Sequence, residues 1–359
     1  MINSSNPALA ADLVTVGDTY RGRDPMPDNH RATMLDLPYL DVLRDIRHFG
    51  IRESNRTGID SIALPGSAFA RYDLREYFPL FTHKKMGFVQ IVRELMWFLT
   101  GSTNAKVLED QNVSIWKNWG GEDRDMGPSY GDAFRKFSVP ASGCGSTGAC
   151  ESWDVTTDQL KQVLTALRND PTSRRHVITL WNPHTWQEAS KKSLANCHGT
   201  AIQFKIQTDH RGQRRLHCAM TQRSCDMFLG VPFNVASYAL LTHLIASWLG
   251  IEPGIFSHTM NDAHIYVNHL KEVDTVLDRP HLVSPQLRVN WHPRIPSIST
   301  SDAVTDFFGE VEKMLTAPYE VQRGESQDSI NTLKMETQML SIELALYNPH
   351  PSITAPVAV

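Results

Sequence analysis

From Asn234 to Leu249 the chain reads as one strongly apolar helix, Val-Ala-Ser-Tyr-Ala-Leu-Leu-Thr-His-Leu-Ile-Ala at its heart, with Gly250 placed to cap it. A helix this apolar needs a protein core around it. The chain can supply one, because 359 residues at 41% hydrophobic content suffice for one large domain or two small ones. No apolar stretch reaches the length of a membrane span. Met1-Ile-Asn-Ser-Ser lacks the basic-then-apolar pattern of a signal peptide. The expectation is a soluble, cytoplasmic protein.

Other elements follow from spacing. Residues 1–35 are polar and rich in Pro, Asp and Asn, and read as an extension with little structure. Leu40, Val42, Leu43 and Ile46 predict a helix over Leu37 to Phe49, and short strands are expected around Pro65-Gly66. Gly87 to Leu99 is an apolar helix closed by Gly101, with one acid, Glu94, on its buried side. His176 to Asn182 and Ala201 to Ile206 have strand composition. Residues 138–156 carry a small-residue run that reads as an inserted surface loop, followed by an amphipathic helix over Asp158 to Arg168. Between 302 and 338 a further insertion holds helical patterns around Phe307 and again around Leu333. Helices and strands alternate without a βαβ cadence or a phosphate-cradling glycine motif. The predicted class is α+β, with a mixed β-sheet packed with helices and a single catalytic domain over 36–359.

Net charge is −4, so no overall basic field points to nucleic acid, and an anion site must be a local cluster of arginines. Three such places stand out: Arg56 in a turn, Arg174-Arg175 before a strand, and Arg223 at the end of one. Arginine suits phosphate because its planar fork stays charged and donates paired hydrogen bonds, although loop arginines are often merely solvated. The five cysteines form an odd number without metal-ligand spacing, which predicts reduced thiols, no disulfide framework and no metal. Cys144 and Cys150 could pair but are expected as two unpaired loop thiols. Cys197, next to His198 on a link between two expected strands, is a reasonable place for a nucleophile, but a buried inert cysteine is the commoner state.

Together the motifs say more. Arg56-Thr-Gly58, Phe78-Pro-Leu80, Glu94-Leu-Met-Trp-Phe-Leu-Thr-Gly101, Ile115-Trp116, Gly127-Pro-Ser-Tyr-Gly131, Ser173-Arg-Arg175 and Trp181-Asn-Pro183 come in this order. Cys197-His198, Gln222-Arg-Ser-Cys-Asp226, Gly230 to Tyr238, Asp262-Ala-His-Ile-Tyr266 and Ala355-Pro-Val-Ala-Val359 follow them. In this order they closely resemble folate-dependent thymidylate synthase, over residue 37 to the end apart from the two insertions. The resemblance implies transfer of a one-carbon unit from methylenetetrahydrofolate to C5 of dUMP, with the Cys197 thiolate adding at C6. It implies that Arg56, Arg174, Arg175 and Arg223 bind phosphate with help from Ser224. Arg174 and Arg175 would reach the partner's site across a sheet-to-sheet homodimer. Asn234 would read the uracil edge and His264 and Tyr266 the sugar hydroxyl, while Glu94, Tyr130 and His198 would order water for proton transfer. Asp226 would bind the pterin, with Trp116, Leu229, Gly230 and Phe233 lining the folate side and Val359 closing over the ligands. No DNA or membrane partner is expected.

Three positions depart from the family's pattern. Asn196 stands where proline usually precedes the nucleophile, Met260-Asn261 replace Gly-Gly, and Ala133-Phe134-Arg135 replace Gln-Trp-Arg. They open an alternative product, 5-hydroxymethyl-dUMP, made by water attack on the exocyclic methylene, with Asn196 or Asn261 holding the water. Trp116 and the closing tail favour methylation. A (d)CMP hydroxymethylase is less in keeping with Asn234, and a non-catalytic nucleotide- or RNA-binding paralogue with the intact Cys197, Glu94 and arginines.

Overall fold

The computed structural model describes residues 37–144, 150–187, 191, 195–209, 211–292, 299–326 and 328–357. The expected extension over 1–35 and the terminal Val359 lie outside the described residues. Helix α1 (Leu37–Phe49) buries Leu40, Leu43 and Ile46 at the expected spacing. It leads into β1 (Ile51–Glu53), β2 (Ser61–Ala63) and β3 (Ala68–Asp73). Helix α2 (Phe88–Thr100) stops at Gly101, whose left-handed backbone (φ 82°) lets its N–H close on the Phe98 carbonyl. After α3 (Lys106–Glu109) and α4 (Tyr130–Arg135), β4 (Phe137–Cys144) and β5 (Cys150–Thr157) form a hairpin where a loop was expected. The hairpin register sets Cys144 directly opposite Cys150. Cys144 is disulfide-bonded, which corrects the expectation of two unpaired loop thiols. Cys197, Cys218 and Cys225 are free.

Helix α5 (Gln159–Asn169) is capped by the Asp158 side chain and leads to β6 (Val177–Ile178), shorter than the expected strand. Then come β7 (Ala201–Thr208), β8 (Arg214–Gln222) and β9 (Cys225–Asp226). Helix α6 (Gly230–Trp248) begins four residues before the expected start. Pro232 falls in its first turn, where a missing N–H costs nothing. Strands β10 (Glu252–Met260) and β11 (Ala263–Tyr266), helix α7 (Leu270–Asp278) and strand β12 (Gln286–Trp291) follow. Helix α8 (Thr300–Thr316), β13 (Tyr319–Arg323), β14 (Ile330–Glu336) and β15 (Leu340–Tyr347) complete the order. The helical pattern expected around Leu333 is therefore a pair of strands.

The central sheet runs β3-β10-β8-β7-β6, with β10 and β8 parallel and the other pairs antiparallel. This is the mixed sheet of an α+β fold. Alternate residues Leu216, Cys218, Met220 and Gln222 of β8, and Phe256, His258 and Met260 of β10, face inward. There α6 covers them, almost wholly buried as its composition requires. The other face of the sheet carries polar and charged residues and the exposed Phe69 and Val177. A smaller sheet, β1-β2-β11-β9, stands beside the ends of β8 and β10, and the chain from 195 to 200 runs between them. The insertion sheet, β12-β15-β14-β13, is clamped to the body by α8, which packs against α2 and α5. Among the described residues no helix is long and apolar enough to cross a membrane.

Candidate active site

The segment around Cys197 is fixed by backbone bonds from three directions. Leu180 N–H donates to Gly199 O (2.8 Å), Thr200 N–H to Thr221 O (3.0 Å) and Arg223 N–H to Cys197 O (2.9 Å). The Cys197 N–H donates to the Tyr130 hydroxyl at 2.8 Å. Gly199 has φ 72°, and a Cβ there would stand 2.6 Å from both Leu180 Cδ1 and Tyr238 Oη. Gly199→Ala is therefore expected to cost about 2–4 kcal/mol of stability and to displace the cysteine beside it. Paired urea unfolding curves read this directly, and an unchanged midpoint would refute it.

Arg223 dominates the sulfur's surroundings. Its Nη2 donates to Ala195 O at 2.9 Å and lies 3.7 Å from Cys197 Sγ, and its Nε donates to Asn196 O at 3.2 Å. Burial pushes the Cys197 thiol pKa upward, and Arg223 and then Arg56 pull against it. A cavity of about 460 Å³ opens here, lined by Cys197, Arg56, Arg223, Ser224, His264 and Tyr266. Trp181, Trp186 and Asp262 also line it; Trp181 and Asp262 belong to motifs noted in the sequence without a role of their own, and Trp186 was not singled out. Asp262 pairs with His264 at 3.3 Å; burial works to lower the His264 pKa, but Asp262 outweighs it and the net direction is up.

Behind the cysteine is an aromatic and carboxylate layer. Tyr130 stacks on His198 at 4.2 Å, and His198 Nδ1 hydrogen-bonds the Tyr238 hydroxyl at 2.9 Å. Burial pushes His198 down to about 3, so the ring is neutral near pH 7. Glu94 is buried on α2, as its sequence position suggested, and accepts from Trp116 Nε1 at 2.8 Å. Burial raises its pKa to about 7 against the opposing Trp116 hydrogen bond. Trp116 in turn meets the Tyr130 ring at 5.9 Å, which links Glu94 to Cys197 through two aromatic residues, with a hydrogen bond at either end.

Asn234 lies in the first turn of α6, and its Oδ1 accepts from Gln222 Nε2 at 3.0 Å. Gln222 Oε1 meets His258 Nε2 at 3.1 Å, so the amide orientation is set two residues away. This relay is absent from any sequence spacing, because the parallel pairing of β8 and β10 creates it. Asp226 Oδ1 accepts the N–H groups of Phe228 and Leu229 at 3.0 and 3.1 Å, which turns the chain into α6. Leu229, Gly230 and Phe233 are half-buried at that helix start, and a Cβ at Gly230 would stand in ordinary contact, 3.7 Å from both Asp226 Cβ and Asn234 Oδ1.

Arg174 and Arg175 do not join this cavity. Arg174 lines a separate space of about 380 Å³ on the outer face of the central sheet, with Arg71, Lys205 and His217. The departures also separate. Asn261 accepts from Ser67 Oγ at 3.1 Å on the surface, Met260 ends β10 in the core, and Ala133 and Phe134 are buried. Arg135 donates to Leu99 O at 2.8 Å and lies over the Phe308 ring at 3.5 Å. Only Asn196 flanks the cysteine: its Nδ2 donates to Leu180 O at 2.6 Å, and its buried Oδ1 has no partner among the described residues. Among the described residues no group of His, Cys, Asp and Glu could hold a metal ion. Against known protein families, the model described as Thymidylate synthase matches residues 37–312.

Proposed function

The chain belongs to the thymidylate synthase family, enzymes that transfer one-carbon units to dUMP with methylenetetrahydrofolate, and we propose that it makes dTMP by reductive methylation. The observation that carries the reading is the Arg223 guanidinium 3.7 Å from a cysteine sulfur in an arginine-lined cavity. In the proposed reaction the Cys197 thiolate forms a bond to C6, and the C5–C6 electron pair moves to the C4 oxygen. The enolate-like ring then attacks the folate methylene from C5. After loss of the C5 proton and departure of the folate amine, hydride from tetrahydrofolate reduces the exocyclic methylene. The thiolate leaves, giving dTMP and dihydrofolate.

Arg56, Arg223 and Ser224 take the phosphate, and His264 and Tyr266 the sugar hydroxyl. Asn234 reads the base, its amide held the right way round by Gln222. Glu94, near half-protonated at neutral pH, exchanges protons through ordered water with Tyr130 and His198. Asp226, with Trp116, Leu229, Gly230 and Phe233, takes the folate. The tail that carries Val359 is tied down just before it, where His269 Nε2 donates to Pro356 O at 2.7 Å. Arg174, set apart on the outer sheet face, and its neighbour Arg175 serve the phosphate site of a second copy across that face.

One observation favours the alternative product, 5-hydroxymethyl-dUMP: the unpartnered Asn196 Oδ1 beside the cysteine suits a bound water. Incubation with dUMP and methylenetetrahydrofolate decides between them. Mass spectrometry of the nucleotide should show a methyl group, with dihydrofolate absorbance rising in step. A hydroxymethyl product without dihydrofolate would overturn the methylation reading. A second expected result concerns base choice. Asn234→Asp removes the donor that suits the uracil C4 carbonyl, and should move the dCMP-to-dUMP ratio of kcat/KM by about 100-fold or more toward dCMP. An unchanged ratio would remove Asn234 from base reading.

A further inference from the structure

We propose that Trp181, with Trp186 stacked behind it, is a positioning residue that holds the Arg223 guanidinium against the Cys197 sulfur. Arg223 directs its hydrogen bonds to Ala195 O, Asn196 O and the sulfur itself, all near the guanidinium plane. Those bonds leave the faces of the fork unsupported. Trp181 supplies that support: the Arg223 Cζ lies 5.1 Å from its ring centroid, within cation–π range. Trp186 stacks on Trp181 at 5.8 Å and 20°, and at 39% exposure it forms the solvent side of the cavity wall. One turn sets both rings. Trp186 N–H donates to Asn182 O at 3.1 Å, Asn182 Oδ1 accepts His184 N–H at 3.0 Å, and Asn182 Nδ2 reaches Ser138 O at 2.7 Å.

The consequence is electrostatic. Arg223, Arg56 and the Tyr130 hydrogen bond act to lower the Cys197 pKa, while burial and Asp226 act to raise it, and Tyr266 faces the same space. His198 beside it stays neutral. Arg223 is the largest of the lowering influences, so any freedom it gains returns the sulfur toward its thiol form.

This inference rests on Cys197 being the reacting sulfur, but its test needs neither dUMP nor folate. The pH profile of iodoacetamide alkylation on the full chain reports the thiolate, which attacks the methylene carbon and expels iodide. The other free thiols are silent: burial raises Cys218 to about 12 and Cys225 higher still, and Cys197→Ala sets the baseline. Trp181→Leu should move the alkylation midpoint up by about half to one pH unit and slow alkylation at pH 7.5 about 3- to 10-fold. Trp181→Phe should keep most of the parent behaviour, and Trp186→Leu, at an exposed position, should shift the midpoint in the same direction by less. In an Arg223→Lys background, Trp181→Leu should add nothing. A Trp181→Leu profile that superimposes on the parent, or effects of Trp181 and Arg223 that add independently, would overturn the proposal. If Trp181→Leu fails to fold, an unshifted Trp186→Leu profile overturns it alone. A chain that makes no methylated product but shows these shifts would refute the proposed function and leave this inference standing.

Discussion

Cys197→Ala is expected to lower turnover by about four orders of magnitude or more, while dUMP binds within a few-fold of the parent affinity. The asymmetry follows from the layout of the cavity. Arg56 and Ser224, proposed for the phosphate, and His264 and Tyr266, proposed for the sugar hydroxyl, line its wall alongside the sulfur. Removing the thiol therefore deletes a bond made during the reaction and little of the binding surface. The thiol is uncharged at neutral pH in the folded and unfolded chain alike, so its removal is expected to change stability little. Single-turnover product formation and calorimetric titration with dUMP measure the two halves. Turnover within a hundredfold of the parent would remove Cys197 from the mechanism.

Glu94→Gln carries two opposite effects. Activity should fall about 100- to 10,000-fold, since an amide cannot exchange protons near neutral pH. Stability should rise, but only on the alkaline side. Burial raises the folded-state pKa to about 7 from an ordinary 4.5. The native state thus holds this proton more tightly than the unfolded chain, and the favourable contribution is complete below about pH 4.5. It is lost as pH climbs through 7, where the buried carboxylate must ionise. The substituted amide would keep an acceptor for Trp116 Nε1 without ever ionising. At pH 8 the variant should be more stable by about 2–3 kcal/mol, and at pH 4 indistinguishable from the parent. Thermal melts across that range, set beside kcat, test both halves. A variant no more stable at pH 8 than at pH 4 would show that the carboxylate is not held in a dry site.

The sequence carried the helices and the residue types of the site, because both are local. Apolar spacing alone located α1, α2 and α5, and the position of Glu94 among Ile91, Leu95 and Phe98 foretold its burial. What spacing could not carry was pairing. Ile330, Leu333, Met335 and Leu340 read as a helical face, yet β14 is sandwiched between β13 and β15, where alternate residues are buried. Gln222 and His258 are 36 positions apart and meet only because two parallel strands run side by side. Pairing also set Arg174 apart from Cys197: the arginine's space is lined by strands β3, β7, β8 and β10 of the central sheet, the cysteine's cavity by the small sheet and the chain beyond those strands. Trp186 gave no signal at all, because a lone tryptophan in a polar stretch acquires meaning only when another ring lies against it.

Helix α8 bears on how the chain could be shortened. Its Val304, Phe307, Val311 and Met314 are buried, it packs on the helix that carries Glu94, and Phe308 underlies Arg135. Within the insertion Glu310 accepts from Lys313, Thr337 and the Met339 N–H, which rivets the helix to its hairpin. A trimmed version lacking 302–338 would thus lose the packing behind the helix that carries Glu94. It would uncover a contiguous greasy surface on α2, with aggregation rather than a leaner enzyme as the outcome. Anyone wishing to minimise this protein has safer material in the β4–β5 hairpin, where Ser152 to Thr156 are exposed.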